Sequence, residues 1–347
     1  MSKSIASICI LRLSAIGDVC HAVAAVQAIQ RAHPQAKITW VIGKVEAMLL
    51  ADLPGVEFVV FDKKRGKAAF KDLKAQFKGT KFDVLLHMQV AFRANLAALF
   101  IPAKVKIGFD NARAKELHSL FVNQRIAKQT EPHVLEGFQQ FAQTIGAKLE
   151  SPRWEMPYTE DDEMQARSLL SGLQRILVIS PAASKKERNW LPERYAALAD
   201  YAAELGFDIV LTGGPTELER NLSSSIIEHA KCNILNLVGQ TQLKTLLCVL
   251  KQAKLVLAPD TGPAHMAVTV GTPVIGLYAH SNPKRTGPYL FQDYVVEVYH
   301  KNVLAQKGKP ANELPWGTRI KGAELMTQIG VDEVKAMFDK VVEQEKL

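Results

Sequence analysis

Leu255-Val256-Leu257-Ala258-Pro259-Asp260-Thr261-Gly262-Pro263-Ala264-His265-Met266-Ala267, closed by Gly271-Thr272-Pro273, decides the reading of this chain. Its opening run is short, apolar and uncharged, as a fully buried parallel strand requires. Asp260 and Thr261 suit a helix cap, and Gly262 lets a ligand approach the backbone. Free amides and the positive end of the helix dipole point out of such a turn. They favour a bound anion by roughly 0.3 to 1 kcal/mol or more. The segment reads as a cradle for a diphosphate. Capping of an ordinary strand-to-helix turn is the plainer reading, and this stretch alone leaves both open.

Outward from this turn the same alternation recurs. A second apolar strand over 274–278 leads into Ser281-Asn282-Pro283-Lys284-Arg285-Thr286-Gly287-Pro288-Tyr289. Upstream, strands over 176–179, 207–212 and 234–238 alternate with helices over 193–205, 216–229 and 243–253. Pro192 and Gly206 stand where helix ends favour them. The first half repeats the scheme, with strands over 8–13, 37–42, 58–61 and 84–87 and helices over 19–32, 45–50, 68–77 and 92–100. Parallel sheets covered by helices follow, an α/β class. Two prolines in Ser151-Pro152-Arg153-Trp154-Glu155-Met156-Pro157-Tyr158 mark the linker. The expected domains are 1–155 and 156–330, with a closing helix in 331–347.

The chain of 347 residues is long enough for two domains with separate cores. Its four scattered cysteines lack a Cys-x-x-Cys pair and suit reduced thiols in the cytosol. No signal peptide is expected, nor an apolar run near the ~20 residues that span a bilayer. Net charge is +8. Between 63 and 81 it concentrates in Lys63, Lys64, Arg65, Lys67, Lys71, Lys74, Lys78 and Lys81, against the single acid Asp72. Phe70, Leu73 and Phe77 recur on another helical face, a basic amphipathic pattern that suits an anionic membrane or acidic substrate. An apolar stripe facing the domain's own core is the competing reading. Zinc-finger and RNA-recognition signatures are missing, so nucleic acid is not expected as a partner. Gly-x-Gly-x-x-Gly, the P-loop and Asp-x-Asp are also missing, which argues against NAD, ATP and metal-dependent donor sites. Asp161-Asp162-Glu163 reads as the acidic first turn of a helix.

Taken together, the segments around 259–273 and 278–289 resemble the bacterial lipopolysaccharide heptosyltransferases of glycosyltransferase family nine. Residues 11–23 and 180–192 strengthen the match. The resemblance implies the GT-B fold: two Rossmann-like, doubly wound domains facing across a cleft, the first for acceptor and the second for ADP-heptose. It implies inverting transfer of heptose from ADP-L-glycero-D-manno-heptose to Kdo of lipid A in inner-core assembly, with ADP-heptose as donor substrate and no cofactor; with Asp-x-Asp missing, the sequence does not require a metal. The expected partners are ADP-heptose, Kdo-lipid A and the cytoplasmic face of the inner membrane, and the closing helix is expected to return to the first domain. Rival readings are addition of the second heptose, a GT-B sugar-nucleotide epimerase and a noncatalytic lipid-binding protein.

The same resemblance assigns roles. Asp18, in Ser14-Ala15-Ile16-Gly17-Asp18, matches the proposed general base, although its local pattern also fits an N-cap aspartate. His21 is a weaker candidate that suits packing. Ser184, Arg188 and Trp190 match a hydroxyl and a cation before a tryptophan. Arg188 stands where the family commonly has lysine, so a forked donor replaces a point charge, and Lys185 and Lys186 can share the role. Glu217, with Glu219 as rival, matches an acid for the nucleotide ribose. Thr261, Gly262 and His265 are expected on the diphosphate or sugar. Lys64 and Arg65, with Arg93, Arg113 and His133, are the acceptor-binding candidates.

Overall fold

The computed structural model describes residues 5–148 and 150–347. Contacts divide the chain between Pro157 and Tyr158. The first unit holds a parallel sheet of β1 (Ser7–Leu11), β2 (Lys37–Gly43), β3 (Val56–Phe61), β4 (Phe82–His87), β5 (Ala103–Gly108) and β6 (Gln124–Arg125), ordered β3-β2-β1-β4-β5-β6. The second holds β7 (Ile176–Ile179), β8 (Asp208–Leu211), β9 (Ile234–Asn236), β10 (Leu255–Pro259), β11 (Val274–Tyr278) and β12 (Val295–Glu297), ordered β12-β11-β10-β7-β8-β9. Central strands such as Ile8-Cys9-Ile10-Leu11 and Leu255-Val256-Leu257-Ala258 are completely buried, which is why they are apolar without alternation. Each fully buried Ile, Leu or Val contributes roughly 1.5–3 kcal/mol.

The first helix runs Ile16–Ala32 and buries Val19, Val23, Val26 and Ile29. It starts earlier than its apolar periodicity predicts. Ala15 is the N-cap, and Asp18 lies inside the first turn, where its Oδ2 accepts the Ala15 N–H at 3.2 Å. The N-cap reading of Asp18 is therefore corrected: the carboxylate reaches back to the cap from within the helix.

The helix Lys67–Gln76 settles the basic amphipathic segment. Ala69, Leu73 and Phe77 are buried in the first unit's core, and Phe70 packs edge-on against Phe61 at 5.1 Å between ring centroids. The apolar stripe is consumed inside the protein. Lys67, Lys71, Lys74 and Lys78 remain exposed on the opposite face.

In the second unit, Thr159 caps the helix Glu160–Leu169, with Asp161, Asp162 and Glu163 in its first turn. The closing helix Val331–Glu345 inserts Val334, Phe338 and Val341 into this same unit's core, Phe338 lying 5.1 Å from Phe207. Its apolar face is thus used by the second unit's core. Among the described residues, no helix is long and apolar enough to cross a membrane.

Candidate functional site

In the second sheet, chain order reverses between β7 and β10, the kind of switch point at which open α/β sheets bind ligands. Thr261 is the N-cap of the helix Gly262–Thr269 that follows β10. An N-cap hydroxyl ordinarily accepts an N–H from the first turn. Here Thr261 Oγ1 is buried and has no hydrogen-bond partner among the described residues. Thr261 and Gly262 thus open this helix with a hydroxyl that no described residue uses.

Asp260 organises the surroundings. Its Oδ2 accepts from Ser281 Oγ at 2.5 Å and Thr286 Oγ1 at 3.4 Å, and its Oδ1 lies 3.7 Å from His265 Nε2. Burial pushes the Asp260 carboxyl up, but His265, Ser281 and the Arg285 charge outweigh it and hold the group at about 2. His265, expected on phosphate or sugar, directs Nε2 toward this carboxylate and is buried.

The loop after β7 carries an exposed Ser184 and a half-buried Arg188. Desolvation and the like charge of Arg319 push Arg188 down, while Asp260 and Glu187 favour its charged form. Trp190 is an anchor within the protein: it is 1% exposed and its Nε1 donates to Ile329 O at 2.9 Å. His280 fastens the loop from outside, with Nε2 2.8 Å from Glu187 O and Nδ1 3.3 Å from Ile320 O. Ser281 pairs in antiparallel fashion with Arg319. The fold therefore brings Arg188, Asp260, Ser281 and Arg319 together beyond the carboxyl ends of β7 and β10.

The loop after β8 separates the two rival acids. Glu219 accepts from Gly214 N at 2.7 Å and Thr216 Oγ1 at 2.5 Å, so it shapes the loop. Glu217, in the same first turn, presents an exposed carboxylate.

In the first sheet the reversal falls between β1 and β4. Beyond these ends lies a cavity of about 310 Å³ whose lining includes Ser14, Lys44, Glu46, Lys64, Gln89 and Arg93. Asp18 pairs with Arg12, whose Nη1 donates to Met88 O at 2.6 Å and whose guanidinium lies 5.3 Å from the Phe138 ring centroid. Gln89 accepts from Leu13 N at 2.7 Å and donates to Ser14 Oγ at 3.3 Å. The Asp18 turn is thus fixed against the cavity wall. Glu46, in that wall, is pushed up by burial; Lys63 and Arg12 pull it down, and Asp18 raises it further.

Lys64 and Arg93 meet at this cavity, but the other acceptor candidates lie elsewhere. Arg65 forms an exposed ion pair with Asp72. Arg113 is buried beside Asp110 and donates to Glu131 O at 2.9 Å. His133 caps the helix Val134–Thr144 through Leu135 N at 3.1 Å and meets the buried His21 edge-on. Arg113 and His133 are buried and hold contacts within the first unit, outside the lining of this cavity. Sequence reasoning missed Arg12, Gln89 and Arg319 and left Asp260 as a cap. Only Arg12, a charge interrupting the apolar stretch from Ile5 to Leu13, carried a visible signal. Among the described residues, no group of three or more His, Cys, Asp or Glu is placed to hold a metal ion.

Comparison with known proteins bears on the family and the fold. Residues 70–316 match the glycosyltransferase family 9 (heptosyltransferase) profile. The chain is 45% identical over 335 residues, 96% of each sequence, to the lipopolysaccharide core heptosyltransferase OpsX of Haemophilus influenzae. It is 26% identical to lipopolysaccharide heptosyltransferase 1 of Escherichia coli K12, covering 85% of this chain and 94% of that protein. Among solved structures, a family 9 glycosyl transferase from Veillonella parvula superposes with a TM-score of 0.80 at 20% identity, covering 99% of each chain. Escherichia coli heptosyltransferase WaaC with ADP gives 0.71 at 22% identity, covering 96% of this chain and 99% of that one. These likenesses identify the fold as GT-B, and with the family match over most of its length the chain belongs to glycosyltransferase family 9, the heptosyltransferases.

Proposed function

We propose that this enzyme builds the lipopolysaccharide core, transferring heptose from ADP-heptose to Kdo of lipid A at the cytoplasmic face of the inner membrane. The observation that carries the acceptor reading is the cavity beside the Asp18 turn, whose lining sets Lys44, Lys63, Lys64 and Arg93 against Glu46 and Asp62, a net positive wall. A sugar acid on an anionic lipid complements those charges. The names of the curated relatives support the lipopolysaccharide core, and the WaaC complex supports an adenine nucleotide donor.

In this reading Asp18 takes the proton from the acceptor hydroxyl as its oxygen attacks the anomeric carbon of the heptose. The bond from that carbon to the diphosphate oxygen breaks on the opposite face, inverting the centre. Negative charge grows on departing ADP. Arg188, the Thr261 hydroxyl and the amides opening the Gly262–Thr269 helix stabilise it, so neither a metal nor a cofactor is required. Ser184 and Glu217 bind the donor from the neighbouring loops, and Asp260 holds His265 toward it.

The test supplies ADP-heptose alone, with Kdo-lipid A, and with Kdo-lipid A already carrying one heptose. ADP release and a heptosylated product only in the second mixture are expected. Product only in the third would assign addition of the second heptose. Conversion of the sugar nucleotide in the first would replace transfer by epimerisation.

A further inference from the structure

The segment from β4 into the helix Phe92–Leu99 walls the first unit's cavity through Gln89, Ala91 and Arg93. Its backbone is held from behind by Asn95, which is completely buried and does not line the cavity. Asn95 Oδ1 lies 2.9 Å from His87 Nε2 and 2.9 Å from His118 Nδ1. Its Nδ2 donates to Glu116 O at 2.8 Å and Val90 O at 3.4 Å.

The proton positions are mutually determined. The Phe109 N–H can only donate, and it meets His118 Nε2 at 3.1 Å. That nitrogen is the acceptor in neutral His118, so Nδ1 carries the proton and the Asn95 oxygen must face it. The amide nitrogen is thereby turned toward the two carbonyls. Glu116, held by one of these bonds, has φ +50°, and Leu117 follows at +63°, a conformation sparsely occupied by such residues. The Glu116 carboxylate then accepts the Phe92 N–H. An apolar residue would fill this space without burying so many polar groups; Asn95 and both ring nitrogens of His118 are bonded, His87 Nδ1 alone of the three side chains lacks a partner among the described residues, and a network so connected favours one geometry.

We propose that Asn95 is a positioning residue for the acceptor, setting the 88–93 wall from behind. The effect reaches the base through Gln89, which holds Leu13 and Ser14, and through Arg12, which joins Met88 O to Asp18. This deepens the acceptor reading above and rests on it.

Asn95→Asp keeps an acceptor for both imidazoles and removes both amide donors. It is expected to raise the KM for Kdo-lipid A about tenfold, the scale of one lost hydrogen bond, with kcat changed less and ADP affinity unchanged. Glu116→Ala should give the same split. Glu116→Gln, which can still accept from Phe92 N–H, should restore the parental KM. Hydrogen exchange of amides 88–93 in the full chain supplies a readout without substrate, and protection there should fall in Asn95→Asp. Unchanged exchange in the folded variant would overturn the proposal. So would an unchanged acceptor KM, or equal losses for donor and acceptor. A parent inactive on Kdo-lipid A would remove the acceptor reading, while the exchange result would still decide whether Asn95 sets the wall.

Discussion

Arg12 and Asp18 form an ion pair across the turn from β1 into the first helix, and the same guanidinium grips Met88 O at the end of β4. One side chain thus couples the carboxylate to both strands at the switch point. Asp18→Asn retains an oxygen for the Ala15 N–H but loses the proton affinity of the carboxylate. Turnover is expected to fall roughly 10²- to 10⁴-fold while ADP binding persists. Rapid-quench assays with parallel calorimetry check this. Near-parental turnover in a folded variant would leave Asp18 as an internal capping acid with an ion-pair partner.

Arg188 lies where Asp260 attracts it and Arg319 repels it, an arrangement that an anionic diphosphate would relieve. Arg188→Ala should weaken ADP by about 1.5 to 3 kcal/mol, the scale of a charge-assisted hydrogen bond. Arg188→Lys should recover part of this by restoring charge without the fork. Unchanged affinity and turnover in the alanine variant would move the role to Lys185 and Lys186.

Thr261→Val tests the cradle with little change in shape. The hydroxyl has no hydrogen-bond partner among the described residues, so its removal should leave thermal stability equal or slightly raised. ADP affinity should nevertheless fall several-fold, by about one hydrogen bond. A destabilised variant with parental affinity would make Thr261 a structural cap.

The division between what the sequence reveals and what it conceals follows the range of the interactions. Leu255-Val256-Leu257-Ala258 before Asp260-Thr261-Gly262 is a local pattern: burial removes polar side chains from the strand, and the turn needs a cap at once. Asp18 is equally local. The charge or polarity of Arg113 and His133 is visible in sequence, whereas Asp110 and Glu131 beside Arg113 and the helix that His133 caps emerge only on folding. The bond between Asp260 and Ser281 crosses a helix and a strand. Periodicity likewise shows that 331–345 has an apolar face without naming the sheet that receives it.

The His87–His118 pair makes the first unit acid-sensitive. Burial, then the Arg125 charge, lowers His118 from 6.5 to about 4, and burial with the His118 charge lowers His87 in the same direction. Below about pH 6.5 the unfolded chain binds protons that the native network refuses, so the stability that neutral His118 supplies is lost as pH drops toward 4, and His87 acts in the same direction. The His118 contribution is on the order of 1 to 3 kcal/mol. Urea unfolding at pH 7 and 5 should reveal the loss, and His118→Gln should flatten it. A parental pH slope in that variant would place the sensitivity elsewhere.

With Ala69, Leu73 and Phe77 committed to the core, the basic segment can meet a membrane only through charge. Lys64, Arg65, Lys67 and Lys71 are exposed, and the surface pair of Arg65 with Asp72 is worth at most about 1 kcal/mol. Replacing all four with Gln should therefore leave folding almost intact. Each basic residue near an anionic surface contributes on the order of 1 kcal/mol, an effect that decays within a Debye length. Vesicle binding should consequently weaken at low salt, and the parent should resemble the variant at high salt. The KM for Kdo-lipid A should rise while ADP-heptose affinity stays constant. Lys64→Gln alone separates two contributions, since Lys64 also lines the cavity. If this single change reproduces the whole KM effect and the quadruple variant binds vesicles like the parent, the segment serves the acceptor pocket and not the membrane surface.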